Sequence, residues 1–340
     1  MNENILESQH NTNNIKINLS TKISNVKMNN PLMNAAGALC TSEEHLFNLN
    51  NSRSGALITK SITWCPRDGN HKPKYYHNDF GSINSNGLEN LGIDTYIEIF
   101  RNNEPFFKRM SSKPKWNKPF FFSISGMSLE DNMSMLRKIN NISWKSIVEL
   151  NLSCPNVIGK PQVGYSLDDM YDYIENCTEI YSGTLGLKLP PYFDIIHFEQ
   201  VADLIKKFTP KIKFITCCNS LGNGLMIDTE TETTAIHPKE GLGGIGGQYI
   251  KPTALANVWK FRNLLPSEID IIGCGGISTG EDVFQHILCG ASVVQIGTQL
   301  MKEGVECFER INNELREIMM EKNYSSIKDF QGKLNVKKSD

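Results

Sequence analysis

Residues 269–298 read IDIIGCGGISTGEDVFQHILCGASVVQIGT. Two short apolar runs, IDIIGCGG (269–276) and VVQIGT (293–298), flank GEDVFQHILCG (280–290), whose apolar residues recur at helical spacing. Neither flanking run alternates cleanly between apolar and polar residues, which is the mark of a strand buried on both faces. The unit therefore reads as strand, helix, parallel strand. Both strands end in small residues, GCGG and IGT, so the chain turns sharply there.

The same unit recurs towards the N-terminus. Six more apolar runs precede it: PLMNAAG (31–37), ALITKS (56–61), FFFSISG (120–126), IVELNLS (147–153), LGLKLP (185–190) and FITCCNS (214–220). Helical periodicity appears in NMSMLRKINN (132–141), LDDMYDYIENCTEIY (167–181) and HFEQVADLIKKF (197–208), and again after the eighth run in ECFERINNELREIMMEK (306–322). Eight strands alternating with helices predict an α/β fold, a closed (β/α)8 TIM barrel. An open doubly wound sheet is disfavoured, because no G-x-G-x-x-G opens a helix after the first strand. At 340 residues the chain is long for one domain, but such barrels routinely exceed ~250 residues as a unit. Residues 16–340 are taken as one barrel domain, and the polar, Asn-rich residues 1–15 as a disordered extension. Two connections, 62–92 and 220–252, are too long to be plain links, and both follow strand C-termini, the end of a barrel that carries active sites. Residues 101–118 read as a solvated basic loop.

Composition narrows the function. With 39% hydrophobic and 21% charged residues and a net charge of −2, the chain has an ordinary globular balance and no electrostatic footprint for nucleic acid. No apolar run approaches the ~18 residues of a membrane span, and the N-terminus lacks the features of a signal or transit peptide, so a cytoplasmic location is expected. Nine cysteines without a C-x-x-C point to reduced thiols. The seven histidines show no ligand spacing, and no metal is expected.

The polar residues at the strand ends converge on one rim: Asn34, Lys60, Ser61, Ser123, Asn151, Ser153, Cys154, Lys188, Asn219, Ser220, Gly275, Gly276, Gly297 and Thr298. The glycines of the last two strands, with a helix beginning near Thr279, suit a phosphate group. That signal alone does not separate FMN from a sugar phosphate. Asparagine amides match the donor–acceptor edge of a flat heterocycle without adding charge. Lys188 suits the stabilisation of an anionic reduced ring, and Lys60 a substrate carboxylate. Cys154, followed by Pro155, sits in a loop over the barrel mouth, where a neighbouring lysine favours thiolate. Cys217 and Cys218 read as barrel core or wall.

Assembled in order, NPLMNAAG, ITKSIT, GSINSNGLENLG, FFFSISGM, ELNLSCPNVIGKPQ, LGLKLPPYFD, NSLGNGL, GLGGIGGQYIKPTALANV, GCGGISTGEDVFQHILCGAS and QIGT make the chain resemble the class 1A dihydroorotate dehydrogenases from about Asn30 to Leu334. The resemblance implies oxidation of dihydroorotate to orotate in pyrimidine (UMP) biosynthesis. FMN would contact Ala36, Lys60, Ser61, Ser123, Asn151, Lys188, Cys218, Gly247, Gly275, Gly276, Gly297 and Thr298. Substrate would be held by Lys60, the loop Asn84, Ser85, Asn86, Gly87 and Leu88, and by Asn151, Asn156, Asn219 and Ser220. Cys154 would remove the C5 proton while hydride leaves C6 for the flavin. Fumarate would then reoxidise the flavin and leave as succinate, and a homodimer is implied. The membrane-bound class carries an apolar anchor and a serine base, and this chain has neither.

The chain departs from the family pattern at Asn86, where SMGL is usual, and at His71 and Lys74, where GNPxPRY is common. Two rivals are other FMN barrels, such as dihydropyrimidine or dihydrouridine reductases, and a barrel that has lost catalysis. A tRNA-acting enzyme should carry a basic patch, and a scaffold should have lost the ring of Cys154, Lys60 and Lys188; neither expectation fits.

Overall fold

A computed structural model describes residues 16–102, 118–142, 146–157, 159 and 162–337. The 1–15 extension, most of the 101–118 loop and Lys160–Pro161 of the GKPQ piece lie outside the described residues. Eight parallel strands form the barrel wall: β1 (Leu32–Asn34), β2 (Leu57–Ile58), β3 (Phe120–Ile124), β4 (Ile147–Asn151), β5 (Thr184–Lys188), β6 (Ile212–Cys217), β7 (Asp270–Cys274) and β8 (Val293–Ile296). They pair in chain order from β2 round to β8, and β8 then pairs with β1. Each coincides with one of the eight expected runs.

The last seam, between β1 and β2, is closed by a side chain. Asn34 Nδ2 donates to the Ile58 carbonyl at 2.8 Å, and the Ile58 N–H donates to Asn34 Oδ1 at 2.9 Å. The amide acts as a peptide group would in a ladder. Asn34 is wholly buried and is absent from the cavity wall, so the strand-end asparagine expected in the functional ring serves the barrel itself. Asn34→Leu would strand one buried donor and one buried acceptor, at ~1–3 kcal/mol each. Urea unfolding should therefore show a loss of about 2–6 kcal/mol.

Strand alternation sorts the interior into layers. Met33, Ile58, Phe121, Ile147, Phe214, Ile272 and Val293 point inward and form an apolar plug. Gly186 belongs to this layer because a Cβ there would lie 2.4 Å from the Phe214 ring. A hairpin, Thr21–Ile23 with Val26–Met28, closes the bottom through Ile23 and Met28. The next inward residues are polar: Ser123, Glu149, Lys188, Thr216 and Gln295, all buried. The residues between them, such as Val148, Leu150, Leu187 and Ile215, face outward against the helices.

The five helical segments read from periodicity are present, as Leu129–Asn140, Leu167–Ile180, Ile195–Lys206, Gly280–Leu288 and Cys307–Glu321. Ser128, Ser166, Asp194 and Thr279 cap the first four through side-chain oxygens. A further helix, Ile93–Asn102, lies where the 62–92 connection is expected to lead into one, whereas helices Glu43–Asn51 and Lys251–Leu264 were not anticipated. Nor was the fate of the two long connections. They pair with each other as an antiparallel sheet over the barrel mouth, in the order Leu221–Leu225, Leu242–Gly247, Gly81–Asn84, Tyr75–His77. Among the described residues no helix is long and apolar enough to cross a membrane, and no group of His, Cys, Asp and Glu is arranged to hold a metal ion.

Candidate active site

A cavity of about 350 Å³ lies between the strand ends and this covering sheet. Of the residues expected at the site, Ala36, Lys60, Ser61, Asn84, Asn86, Gly87, Leu88, Asn151, Cys154, Asn156, Lys188, Cys218, Asn219, Ser220, Gly247, Gly275, Gly276, Gly297 and Thr298 all line it. Ser123 and Ser85 do not. Ser123 stands one layer behind, its Oγ 3.0 Å from Ser61 Oγ, and Ser61 in turn accepts from Asn151 Nδ2 at 3.1 Å. Ser85 is fully buried, and its carbonyl accepts from Asn70 Nδ2 at 2.9 Å.

At one end the wall is almost pure backbone. Gly275 and Gly276 have φ of +129° and +76°, conformations open to glycine. A Cβ on Gly276 would meet Lys251 Cβ at 2.2 Å. The N–H groups of Gly276, Gly297 and Thr298 find no hydrogen-bond partner among the described residues. Converging free N–H groups without side chains make a cradle for a phosphate. The helix near Thr279 does not supply it, contrary to expectation. Its first N–H groups are occupied: Ser278 N and Thr279 N donate to Asp282 Oδ2 at 2.8 and 2.9 Å, and Gly280 N donates to Glu314 Oε2 at 2.7 Å. The helix start that lines the cavity is that of Thr298–Glu303. Thr298 Oγ1 lies 2.8 Å from Ser82 Oγ and ties the covering sheet to this end.

The other end carries the thiol. Cys154 is half-buried in the loop after β4. Its neighbours are braced from three sides. Asn219 Nδ2 donates to the Ser153 carbonyl at 2.9 Å, Lys239 Nζ to the Pro155 carbonyl at 2.8 Å, and Asn70 Nδ2 to the Asn156 carbonyl at 3.2 Å. Asn156 Nδ2 donates to Asn84 Oδ1 at 2.9 Å, so the loop is also joined to the covering sheet. Two further thiols line the cavity, Cys218 and Cys274, and burial pushes the pKa of both up. They are neutral at physiological pH. Cys217, its side chain in the outer core, is pushed up likewise. None of the nine cysteines is disulfide-bonded.

Two buried lysines, Lys60 and Lys188, face the space between the ends. Cationic walls suit an anionic ligand. The departures from the family pattern fall on the rim. Lys74 pairs with Glu89 at 2.7 Å, and Asn86 lines the wall.

The family model for dihydroorotate dehydrogenase matches residues 18–319. The chain belongs to the dihydroorotate dehydrogenase family. It is 49% identical over 317 residues to dihydroorotate dehydrogenase (fumarate) of Saccharomyces cerevisiae, covering 93% of this chain and 98% of the yeast protein. It is also 49% identical over 316 residues to dihydroorotate dehydrogenase A (fumarate) of Lactococcus lactis, covering 93% and 99%. Both are of the fumarate type, in agreement with the class 1A resemblance. The crystal structure of DHODH from Eimeria tenella in complex with ferulenol superposes with a TM-score of 0.75 at 19% identity, over 93% of this chain and 88% of that one. That likeness speaks for the fold.

Several residues of this dihydroorotate dehydrogenase family member were not legible as functional. Asn70 and Lys239 brace the Cys154 loop, and Glu149, Thr216 and Gln295 lie beneath Lys188. His286, on the Gly280–Leu288 helix, is fully buried with Nε2 3.0 Å from the Gly275 carbonyl, and so holds the glycine turn from behind. Burial pushes its pKa down to about 4. The unfolded chain takes up this proton near the ordinary histidine value, so stability is complete above about pH 7 and is lost as pH falls towards 4. The loss should approach about 3 kcal/mol. His286→Gln, which removes the titration, should flatten the decline of the urea midpoint between pH 7 and 4.5.

Proposed function

We propose that this chain oxidises dihydroorotate to orotate with bound FMN, and that fumarate returns the flavin to its oxidised state. The observation that carries the reading is the arrangement within one cavity of a glycine cradle, two buried lysines and a half-buried cysteine. Its relatives' names, dihydroorotate dehydrogenase (fumarate), give the substrate and the acceptor.

The residues present fit FMN. The Gly275, Gly276, Gly297 and Thr298 backbone would hold the phosphate, with Gly247 beside it, while Ala36, Lys60, Ser61, Asn151, Lys188 and Cys218 would surround the ring. Ser123 would act through Ser61. When bound, FMN supplies the hydride acceptor. Cys154 removes the C5 proton. Asn84, Asn151, Asn156 and Asn219, with Ser220, offer the amides and hydroxyl that match a pyrimidine imide. Lys60 holds the substrate carboxylate. The loop Ser85 to Leu88 closes over the substrate, and Asn86 there meets it without adding charge.

A homodimer and a cytoplasmic location complete the reading. Phe193, Ile195 and Ile196 are 63%, 58% and 60% exposed, an apolar run that a second copy would cover. Sedimentation should then report twice the 38.3 kDa chain mass. The functional test is direct. Purified protein should be yellow, and with fumarate present it should convert dihydroorotate to orotate without a partner protein. A colourless preparation that cannot be reconstituted with FMN would contradict the proposal.

A further inference from the structure

The buried polar layer beneath the cavity holds one carboxylate that substrate chemistry does not use. Glu149 points into the barrel from the middle of β4 and is wholly buried. Its Oε2 accepts from Thr216 Oγ1 and from Gln295 Nε2, both at 2.7 Å. Its Oε1 has no hydrogen-bond partner among the described residues. The ammonium of Lys188 stands 4.0 Å from that oxygen, too far for a hydrogen bond. Instead, Lys188 Nζ donates to Gln295 Oε1 at 2.8 Å. One Gln295 amide thus gives its NH2 to the carboxylate and its carbonyl to the ammonium. It holds the two charges apart.

This arrangement is costly as packing. A buried ion pair in direct contact offsets part of its desolvation, and an apolar layer would avoid that cost. A pair held off contact does neither well. What it provides is an ammonium that stays charged and remains turned towards the cavity it lines. We propose that Glu149 and its spacer Gln295 are positioning residues that keep Lys188 protonated and facing the flavin, and so set the flavin's electron affinity. The inference rests on the FMN reading above.

The charge balance around Lys188 supports the assignment. Burial is the largest influence on Lys188 and works against its charge, while Cys274, Glu149, Cys218 and Cys40 are the neighbours placed to favour it. Three of the four are thiols, each pushed up by burial, Cys40 to about 11. At neutral pH they carry no charge. Lys60, the other cation on the cavity wall, opposes a second positive charge. Glu149 is left as the neighbour able to supply the countercharge.

The test is the midpoint potential of the bound flavin measured from pH 6 to 9 in the holoenzyme and in Glu149→Gln. Without the carboxylate, burial is left without a countercharge, and Lys188 should hold its proton less firmly than in the wild type, most visibly at the upper end of this range. The difference between variant and wild type should then change with pH by at least tenfold in the ratio of reduced to oxidised flavin affinity, about 30 mV for a two-electron couple. A difference that is constant across the range, zero included, overturns the proposal. Gln295→Leu gives a second reading should Glu149→Gln fail to fold. Lys188 then falls onto Glu149, and the potential should drop by a similar amount at pH 7; an unchanged potential overturns the spacer role. Failure of the underlying FMN reading looks different, because the wild-type protein would show no flavin spectrum to titrate.

Discussion

Cys154→Ala should reduce its flavin ~10²–10⁴-fold more slowly with dihydroorotate than the wild type does, the usual loss when a general base is removed. FMN should stay bound, because Cys154 lies at the opposite end of the cavity from the glycine cradle. The site contains three thiols, which makes this a discriminating experiment. Cys218 and Cys274 are buried and pushed towards the neutral form, while Cys154 alone among them is half-buried. Cys218→Ala should therefore slow proton removal far less. Anaerobic stopped-flow absorbance at the flavin band reads both variants. Near-normal reduction by Cys154→Ala would remove this residue from the role.

Gly276→Ala should weaken FMN binding by at least 100-fold. Two costs coincide at this position. An L-residue at φ +76° is strained by ~1–2 kcal/mol. The new Cβ also falls 2.2 Å from Lys251 Cβ and 2.8 Å from its Cα. Lys251 begins the Lys251–Leu264 helix and pairs with Asp282, so it cannot retreat cheaply. The turn must open instead, and the N–H groups of Gly276, Gly297 and Thr298 no longer converge. A hundredfold loss corresponds to about 2.8 kcal/mol. Titration of apoprotein with FMN, followed by quenching of flavin fluorescence, measures it. Affinity within threefold of wild type would mean that this turn does not hold the phosphate.

The barrel was legible because its cause is local. Runs such as IVELN and IDIIGC are short, β-branched and bounded by turn residues, and the count of eight selects closure. The covering sheet was not legible, because its strands LGNGL and LGGIGG have almost no side chains to alternate. The pairing of LGGIGG with Gly81–Asn84, across more than a hundred residues, exists only once the barrel has brought the two connections together. The ring of strand-end residues was read well as a set but less well one by one. Asn34 sits at the same strand position as a ligand-facing asparagine would, yet the open seam at β2 claims its amide. The glycine turn lies on the cavity wall where it is expected, whereas the helix behind it differs from expectation, because Asp282, three residues after Thr279, takes the N–H groups of Ser278 and Thr279. That capping pattern is visible in STGED and was the signal to weigh. Glu149 and Gln295 gave no such signal. Their meaning depends on β4, β5 and β8 meeting in one layer.

The central claim is that one chain carries out the reduction of its own flavin by dihydroorotate and the reoxidation by fumarate. Anaerobic titration of the purified holoprotein tests it most directly. One equivalent of dihydroorotate should bleach the flavin and release one orotate, and fumarate added next should restore the oxidised spectrum, with neither NAD nor a quinone needed. A flavin that stays oxidised in the presence of excess dihydroorotate would contradict the account.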